Sequence, residues 1–351
     1  MTGNTMIKRR DVLRAGAAGL ALASLGLGTR RAAAAGELIY SGFGGSYEQA
    51  IRSAVFGPFG EANDVNVIMT TGGSDVAKAV AMVKAKRTEY DLIDAQGTTL
   101  SQFAKAGILE PLDTSVIATD GIFDKSLMTQ YSVPWYQFSL NLFWNKDVFK
   151  EGPQSWADVW DVEKFPGKRG LSSLPWFSLE IALLADGVAM KDLYPLDVDR
   201  AFASLDKIKP HAVFLGTSAL ANAVSAQEVV TGILNLARLK SVMKAGVNMG
   251  YTWNQAMVDI QQLVILKGCP NPENAQNAVA YSLQPEAQLR VLKTLGYAPT
   301  VQSTIDSIDP EEAKDLPGTA ATKDKSFYLN SAWWGENGEE VGRRWQDWLA
   351  S

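Results

Sequence analysis

Apolar and polar positions along this chain fall into short blocks, and most blocks close on a polar turn. Residues 37–41 open the series as a predicted strand, with Leu38 and Tyr40 on one face. The turn Gly42-Phe43-Gly44-Gly45-Ser46-Tyr47-Glu48 follows, and a helical pattern then runs through Ala54 and Phe59. A second strand is predicted over 64–69, with a polar turn over 70–75 and a helix over 76–86. A third strand, 90–95, carries Asp91-Leu92-Ile93-Asp94-Ala95. It leads to Gln96-Gly97-Thr98-Thr99 and a helix ending near Gly107. Strand, polar turn and helix in threefold succession predict an α/β chain with a parallel sheet. Ligands of such sheets sit at the carboxyl ends of the strands, so Gly45, Ser46, Gln96 and Thr98 are candidate contacts. The glycine-rich turn matches neither the dinucleotide fingerprint nor the P-loop. Its plainer reading is a tight turn with Ser46 as a helix cap.

The stretch Ser132–Asn145, SVPWYQFSLNLFWN, is denser. Val133 is held extended because it precedes Pro134, and Trp135, Tyr136 and Phe138 place three rings within four residues. Residues 139–145 alternate as a strand does. The expected element is a crossing between two lobes, its aromatics lining the cleft; the plainer alternative is a core strand. Beyond it, Ser155 is placed to cap a helix starting SWADVW, and Pro175-Trp176-Phe177 opens another helix. A strand over 229–233 has Asn235 and Arg238 just beyond its end. Strands are predicted at 247–251 and 263–266, with Trp253 and Asp259 between them. Helices over 274–281 and 286–293, a turn at 297–300 and an aromatic amphipathic helix over 333–350 complete the chain. There are no internal repeats.

Composition narrows this picture. The chain has 351 residues, of which 46% are hydrophobic and 20% charged, enough for two domains with cores. The first 35 residues read as an export signal of the twin-arginine type: Lys8-Arg9-Arg10, a weakly apolar run over 15–28, and Ala32–Ala35 for cleavage. The expected destination is the bacterial periplasm. Without that segment, six basic residues and one acidic residue are lost, and the formal charge moves from −5 to −10. An acidic surface without a basic stripe argues against nucleic acid. Cys269 is the only cysteine, so no disulfide forms, and the expected product is a soluble, unanchored monomer. One histidine, His211, one cysteine and no carboxylate cluster at ligand spacing leave neither a catalytic triad nor a metal site, so no enzyme activity and no cofactor are expected.

Several pieces together resemble a family: DLIDA, VPW before a strand ending Phe143-Trp144-Asn145, SWADVW with a following FPGK, NPENAQNA, GYAPT, and the closing WWGENGEEVGRRWQDWLA. In this order they resemble the periplasmic solute-binding proteins of spermidine/putrescine-type ABC importers. The resemblance implies a type II two-lobe fold, each lobe a mixed sheet flanked by helices, joined by two crossover hinge strands. It implies a first lobe from 36–134 and 263–351, and a second from 135–262. It also implies a small-molecule ligand and a membrane permease as partners. An iron-binding relative would want paired tyrosines in the cleft, and no such pair is expected here.

The chain departs from the polyamine pattern near the return crossing. Where those relatives carry Trp-x-Asp, this chain reads Asp259-Ile260-Gln261, and where they often carry Trp-Asn-Gly it reads Asn235-Leu236-Ala237-Arg238. A guanidinium beside the cleft does not suit a bare polycation. Arg238 can grip a carboxylate through two parallel hydrogen bonds, and Asp259 can take an ammonium. Trp135, Tyr136, Trp176 and Phe177 can cover a methylene chain and add cation–π contact. These features point to an ω-amino acid such as 4-aminobutyrate, with a polyamine as the neighbouring reading; Trp253 joins the candidate contacts. Alternatives on the same fold are a sensor that docks to a receptor, or a binder of a small anion or sugar.

Overall fold

The computed structural model describes residues 36–351 apart from Gly73. The twin-arginine segment and the side chain of Ser46 lie outside the described residues. Among those residues no helix is long and apolar enough to cross a membrane.

Among the described residues eleven strands form one sheet: β1 (Gly36–Gly42), β2 (Val65–Thr71), β3 (Leu92–Gln96), β4 (Leu109–Glu110), β5 (Ser132–Asn145), β6 (Arg169–Ser172), β7 (Ala212–Leu215), β8 (Thr231–Asn235), β9 (Met249–Leu266), β10 (Ala298–Pro299) and β11 (Ser326–Tyr328). The main order is β2-β1-β3-β9-β5-β8-β6-β7. As the sequence predicts, β1 pairs in parallel with β2 and β3. Two long antiparallel strands, β5 and β9, form the middle and pair from Ser132↔Val264 to Asn145↔Met249. The C-terminal half of β9 carries β3, and so the first lobe's β1 and β2. The C-terminal half of β5 carries β8, and through it β6 and β7. The two lobes therefore hang from opposite halves of one strand pair. Every residue of β5 is buried, as a crossing strand covered by both lobes requires.

β9 is a single strand of 18 residues where the sequence predicts two short ones. The polar run 252–255 breaks the alternation because the strand itself is irregular there. Leu140 faces Met257 but Leu142 faces Thr252, so five residue steps on β9 oppose two on β5. Gln255 sits in this loop with a φ of 60°. Its carbonyl accepts from Trp156 Nε1 at 3.1 Å and its side-chain oxygen from Trp156 N at 2.9 Å. Extra residues of this kind leave ladder groups unpaired and let a strand bend. A smaller irregularity gives β5 one extra residue, Trp135, between Pro134 (opposite Gln262) and Tyr136 (opposite Gln261).

The first lobe packs Leu38, Tyr40, Phe56, Phe59 and Trp135; the second packs Phe143, Leu220, Val224, Leu234 and Leu239. Ser155 caps the helix Trp156–Trp160 as its position predicts, its hydroxyl accepting from Asp158 N at 3.2 Å. The closing helix Ser331–Ala350 touches both lobes. Its first turns lie so close to the helix Gly97–Ala106 that a Cβ on Gly335 would sit 2.2 Å from Ser101 Oγ. Its last turns reach the second lobe, where Trp345 Nε1 donates to the Ser173 carbonyl and Trp348 Nε1 to Asp206.

Gly232 of β8 has a φ of 153°, and a Cβ there would stand 1.9 Å from the Gly170 carbonyl oxygen of neighbouring β6. Backbone held in a ladder cannot yield as a side chain can. Gly232→Ala is expected to cost about 3 kcal/mol of unfolding free energy, read as a lower urea midpoint; an unchanged midpoint would contradict this packing.

Candidate functional site

Register decides which side chains meet. Gln261 of β9 stands opposite Gln96 of β3 and Tyr136 of β5, and Asp259 stands opposite Phe138. Paired residues share a face of a sheet, and alternate residues along a strand do too. Asp94, Gln96, Tyr136, Phe138, Asp259 and Gln261 therefore point to the same side, at the C-terminal end of β3 where the lobes meet.

Asp94 anchors the first-lobe part. Tyr40 donates its hydroxyl to Asp94 Oδ2 at 2.5 Å, and Tyr47 donates to the same oxygen. The hydroxyls of Tyr47 and Tyr136 are 2.9 Å apart, and Tyr297 stacks on Tyr136 with centroids 4.8 Å apart. A tyrosine pair does occupy the cleft, contrary to the sequence expectation; the two residues lie 89 positions apart in the chain, and only folding joins them. Burial and the field of Asp94 push the Tyr40, Tyr47 and Tyr136 phenols far above their ordinary pKa. Protonated, Tyr40 and Tyr47 both donate to Asp94. Among the described residues no group of three or more His, Cys, Asp or Glu side chains could hold a metal.

Three buried carboxyl groups face this region. Burial raises Asp94 to about 7 against the pull of its tyrosine hydrogen bonds. Asp259, 3% exposed, is raised by burial to about 7; its Oδ1 accepts from Ile260 N at 2.7 Å. Glu180 lies one helical turn beyond Trp176 on the helix Pro175–Ala185, and burial raises it to about 8. Its Oε1 accepts from Tyr194 Oη at 2.6 Å and from Trp334 Nε1 at 2.7 Å, and the charge of Asp259 reaches it. Each acid keeps one oxygen with no partner: Asp94 Oδ1, Asp259 Oδ2 and Glu180 Oε2. Trp176 Nε1 and Gln261 Nε2 are buried and unpartnered as well. A buried polar atom without a partner costs about 1–3 kcal/mol, so this concentration marks a surface shaped for something else to complete. Beside Asp259, a cavity of about 320 Å³ opens along the edge of β9 between the ends of β3 and β11, lined also by Gly97, Gln262 and Ser331.

The second lobe brings Arg238. Asn235, the last residue of β8, caps the helix Leu236–Lys244 by accepting from Arg238 N at 3.3 Å. The half-buried Arg238 pairs with no carboxylate among the described residues. Burial raises the Tyr297 phenol, while the positive charge of Arg238 and a hydrogen bond with Asn235 pull it down. Arg238 is thus brought to the aromatic stack that borders Asp94 and Asp259.

The remaining candidates are placed as follows. Trp135 is fully buried against Phe56, centroids 5.8 Å apart, in the first-lobe core. Phe177 is buried edge-on to Trp176. Gly45 is exposed at the start of the helix Gly45–Ile51, whose N-cap is Gly44 with no side chain capping it. Thr98 is buried in the first turn of Gly97–Ala106. The Trp253 indole donates to Asp315 at 3.0 Å. Sequence reasoning missed Asp94, Glu180, Tyr47 and Tyr297. The signal for the two acids was present: each is a carboxylate inside an otherwise apolar run, LIDA and LEIALL.

Residues 54–320 match the family described as bacterial extracellular solute-binding protein. The chain is 30% identical over 314 residues to the gamma-aminobutyric acid-binding protein of Pseudomonas aeruginosa, covering 88% of this chain and 89% of that one. It is 22% identical over 267 residues to the spermidine/putrescine-binding periplasmic protein of Escherichia coli, covering 73% and 76%. Among solved structures, the binding protein AgtB from A. tumefaciens R10 in complex with agropinic acid superposes with a TM-score of 0.82 at 34% identity, covering 90% of this chain and 99% of that one. The two-lobe fold expected from the sequence is the fold these proteins share.

The raised carboxyls fix the sign of a pH effect. Unfolded, they titrate near 4; folded, near 7 for Asp94 and Asp259 and near 8 for Glu180. Between those values the native state holds protons that the unfolded state has released, so stability falls as pH rises through the window and levels off above it. The melting temperature of the ligand-free protein is expected to be higher at pH 5 than at pH 8, with a flatter profile in Asp259→Asn. A melting temperature that climbs from pH 5 to pH 8 would contradict the burial of these groups.

Proposed function

We propose a ligand and a mode of action for this chain, which belongs to the bacterial extracellular solute-binding protein family. It is a solute-binding protein of the periplasm, not an enzyme. In our reading it is the capture component of an ABC importer, exported through the twin-arginine signal in residues 1–35 and delivering its solute to a membrane permease. The solute is a small zwitterion with a terminal amine, an ω-amino acid such as 4-aminobutyrate.

The observation that carries this reading is the pairing of opposite groups around one aromatic cleft. Asp259 offers a buried oxygen with no partner, and Arg238 offers a guanidinium with no carboxylate among the described residues. A carboxylate at one end of the ligand satisfies Arg238, an ammonium at the other satisfies Asp259, and Tyr136 and Tyr297 cover the methylenes between. The naming of the Pseudomonas aeruginosa relative for gamma-aminobutyric acid agrees. A second reading has its own support: three acids with free oxygens suit more than one ammonium, as in the polyamines of the Escherichia coli relative's name.

Capture proceeds by closure. Each lobe holds part of the site, with Asp94 on the first, Arg238 on the second and Asp259 on the strand between them. A ligand touching all three favours the closed population. We place the hinge at the irregular pairing of residues 252–257 with Leu140–Leu142, which keeps Trp135 with the first lobe and moves the lobe bounds expected from the sequence, 134/135 and 262/263, to that irregularity; the closing helix bridges the two lobes.

Calorimetric titration of residues 36–351 with 4-aminobutyrate, putrescine and spermidine tests the choice of solute. Asp259→Ala is expected to weaken any bound amine by about 3–5 kcal/mol, and a loss below tenfold would remove its role. Arg238→Ala is expected to abolish binding of 4-aminobutyrate and to spare putrescine; equal losses for both would count against the zwitterion.

A further inference from the structure

Asp315 stands in a first-lobe turn, and its carboxylate is held by three groups from the second lobe. It stands between Ala313 and Leu316, which pack with Leu292, Ala298 and Ile308 in a small core of the first lobe. Its carboxylate turns from that core toward the second lobe and meets three donors there. Tyr251 Oη donates to Oδ2 at 2.6 Å, Trp253 Nε1 to Oδ1 at 3.0 Å, and Lys240 Nζ reaches Oδ2 at 2.5 Å. Tyr251 and Trp253 are alternate residues of β9 on the second-lobe side of Gln255, so both point the same way. Lys240 comes from the helix Leu236–Lys244, whose Ala237 packs beside Gly296 of the first lobe. Burial opposes ionisation of Asp315, but Lys240, Tyr251 and Trp253 outweigh it and hold the carboxyl below its ordinary range. The carboxylate is therefore charged at neutral pH, and both its oxygens are engaged.

We propose that Asp315 is the latch of the closed form, a first-lobe carboxylate gripped by second-lobe donors only while the lobes are together. The inference rests on capture by closure, but not on the identity of the solute. Rotation at residues 252–257 moves Lys240 and the second-lobe end of β9 away from the core that holds Asp315, and charge-assisted hydrogen bonds weaken steeply with distance and angle. Closing the lobes regains them. The apparent affinity of a binding protein is its intrinsic affinity scaled by the fraction in the competent state. Loss of the latch therefore weakens every ligand by one common factor and speeds its release, whereas loss of a contact such as Arg238 acts on particular ligands. It also gives Trp253 a positioning role, in place of the ligand contact expected from the sequence.

The interlobe distance reads this directly. In a Cys269→Ser background, spin labels on Val116→Cys in the first lobe and Val148→Cys in the second report opening and closing, since both positions are exposed. Asp315→Asn is expected to lower the ratio of closed to open protein about tenfold, with Lys240→Met acting in the same direction by less. Adding Lys240→Met to Asp315→Asn should change little further, since the two residues act through one contact. The exchanged pair, Lys240→Asp with Asp315→Lys, should recover part of the closed population. Dissociation of 4-aminobutyrate or putrescine should quicken by one common factor in Asp315→Asn. Distance distributions that match the parent in both single variants would overturn the latch, whether or not either solute binds. Failure of both solutes to bind, with a shifted distribution in Asp315→Asn, would overturn the choice of solute and leave the latch standing.

Discussion

The antiparallel pairing of β5 with β9 is the constraint on which the rest of the structure depends. Each strand serves both lobes, so a single ladder runs through the packing of both. The same ladder sets Tyr136 and Phe138 against Gln261 and Asp259 on one face. A one-residue slip would turn that set to the opposite face. The irregularities in the ladder are as consequential as its regular part. The extra residue Trp135 lets one ring fill the first-lobe core while its neighbour Tyr136 reaches the cleft, their centroids 5.0 Å apart. The longer excursion around Gln255 interrupts the pairing where the two lobes part.

The cleft built on this ladder is unfavourable by itself. Burying Asp94, Asp259 and Glu180 raises the energy of their charged forms, and each is only partly compensated. Asp94 receives two phenols, Glu180 a phenol and an indole, and Asp259 one backbone N–H. Such an arrangement persists because the surrounding cores determine it. A ligand carrying positive charge or several donors recovers what burial has cost.

Closure also has contacts of its own. The closing helix runs from the first lobe to the second, and its Trp334 braces Glu180 from behind while Trp345 and Trp348 hold the far lobe. Asp315 makes a second bridge, through Lys240, Tyr251 and Trp253. A binding protein must hold its solute tightly enough to capture it and loosely enough to release it, and contacts that favour closure without touching the solute adjust that balance independently of specificity.

Much of the architecture was legible in the order of residues. Alternation and turn chemistry located β1, β2, β3 and the helices after them, because those signals are local. Val133-Pro134 and the ring-dense run after it marked the first crossing, and Asp259 and Arg238 stood out as charges beside predicted strand ends. The continuity of β9 was not legible, because a bulge of polar residues looks the same in sequence as a loop. Nor was the tyrosine and carboxylate cluster: Tyr47, Asp94 and Tyr136 come from three separate elements and Tyr297 from a turn, and they meet only through strand register and packing. Trp253 was singled out by its position near the return crossing, but which partner its indole would find depended on a first-lobe turn 62 residues further on. Periodicity and turn residues, acting over a few positions, determined the elements, and the order of motifs such as SWADVW and NPENAQNA carried the resemblance to the family. The site and its closure were decided by contacts between distant parts of the chain, which no local pattern encodes.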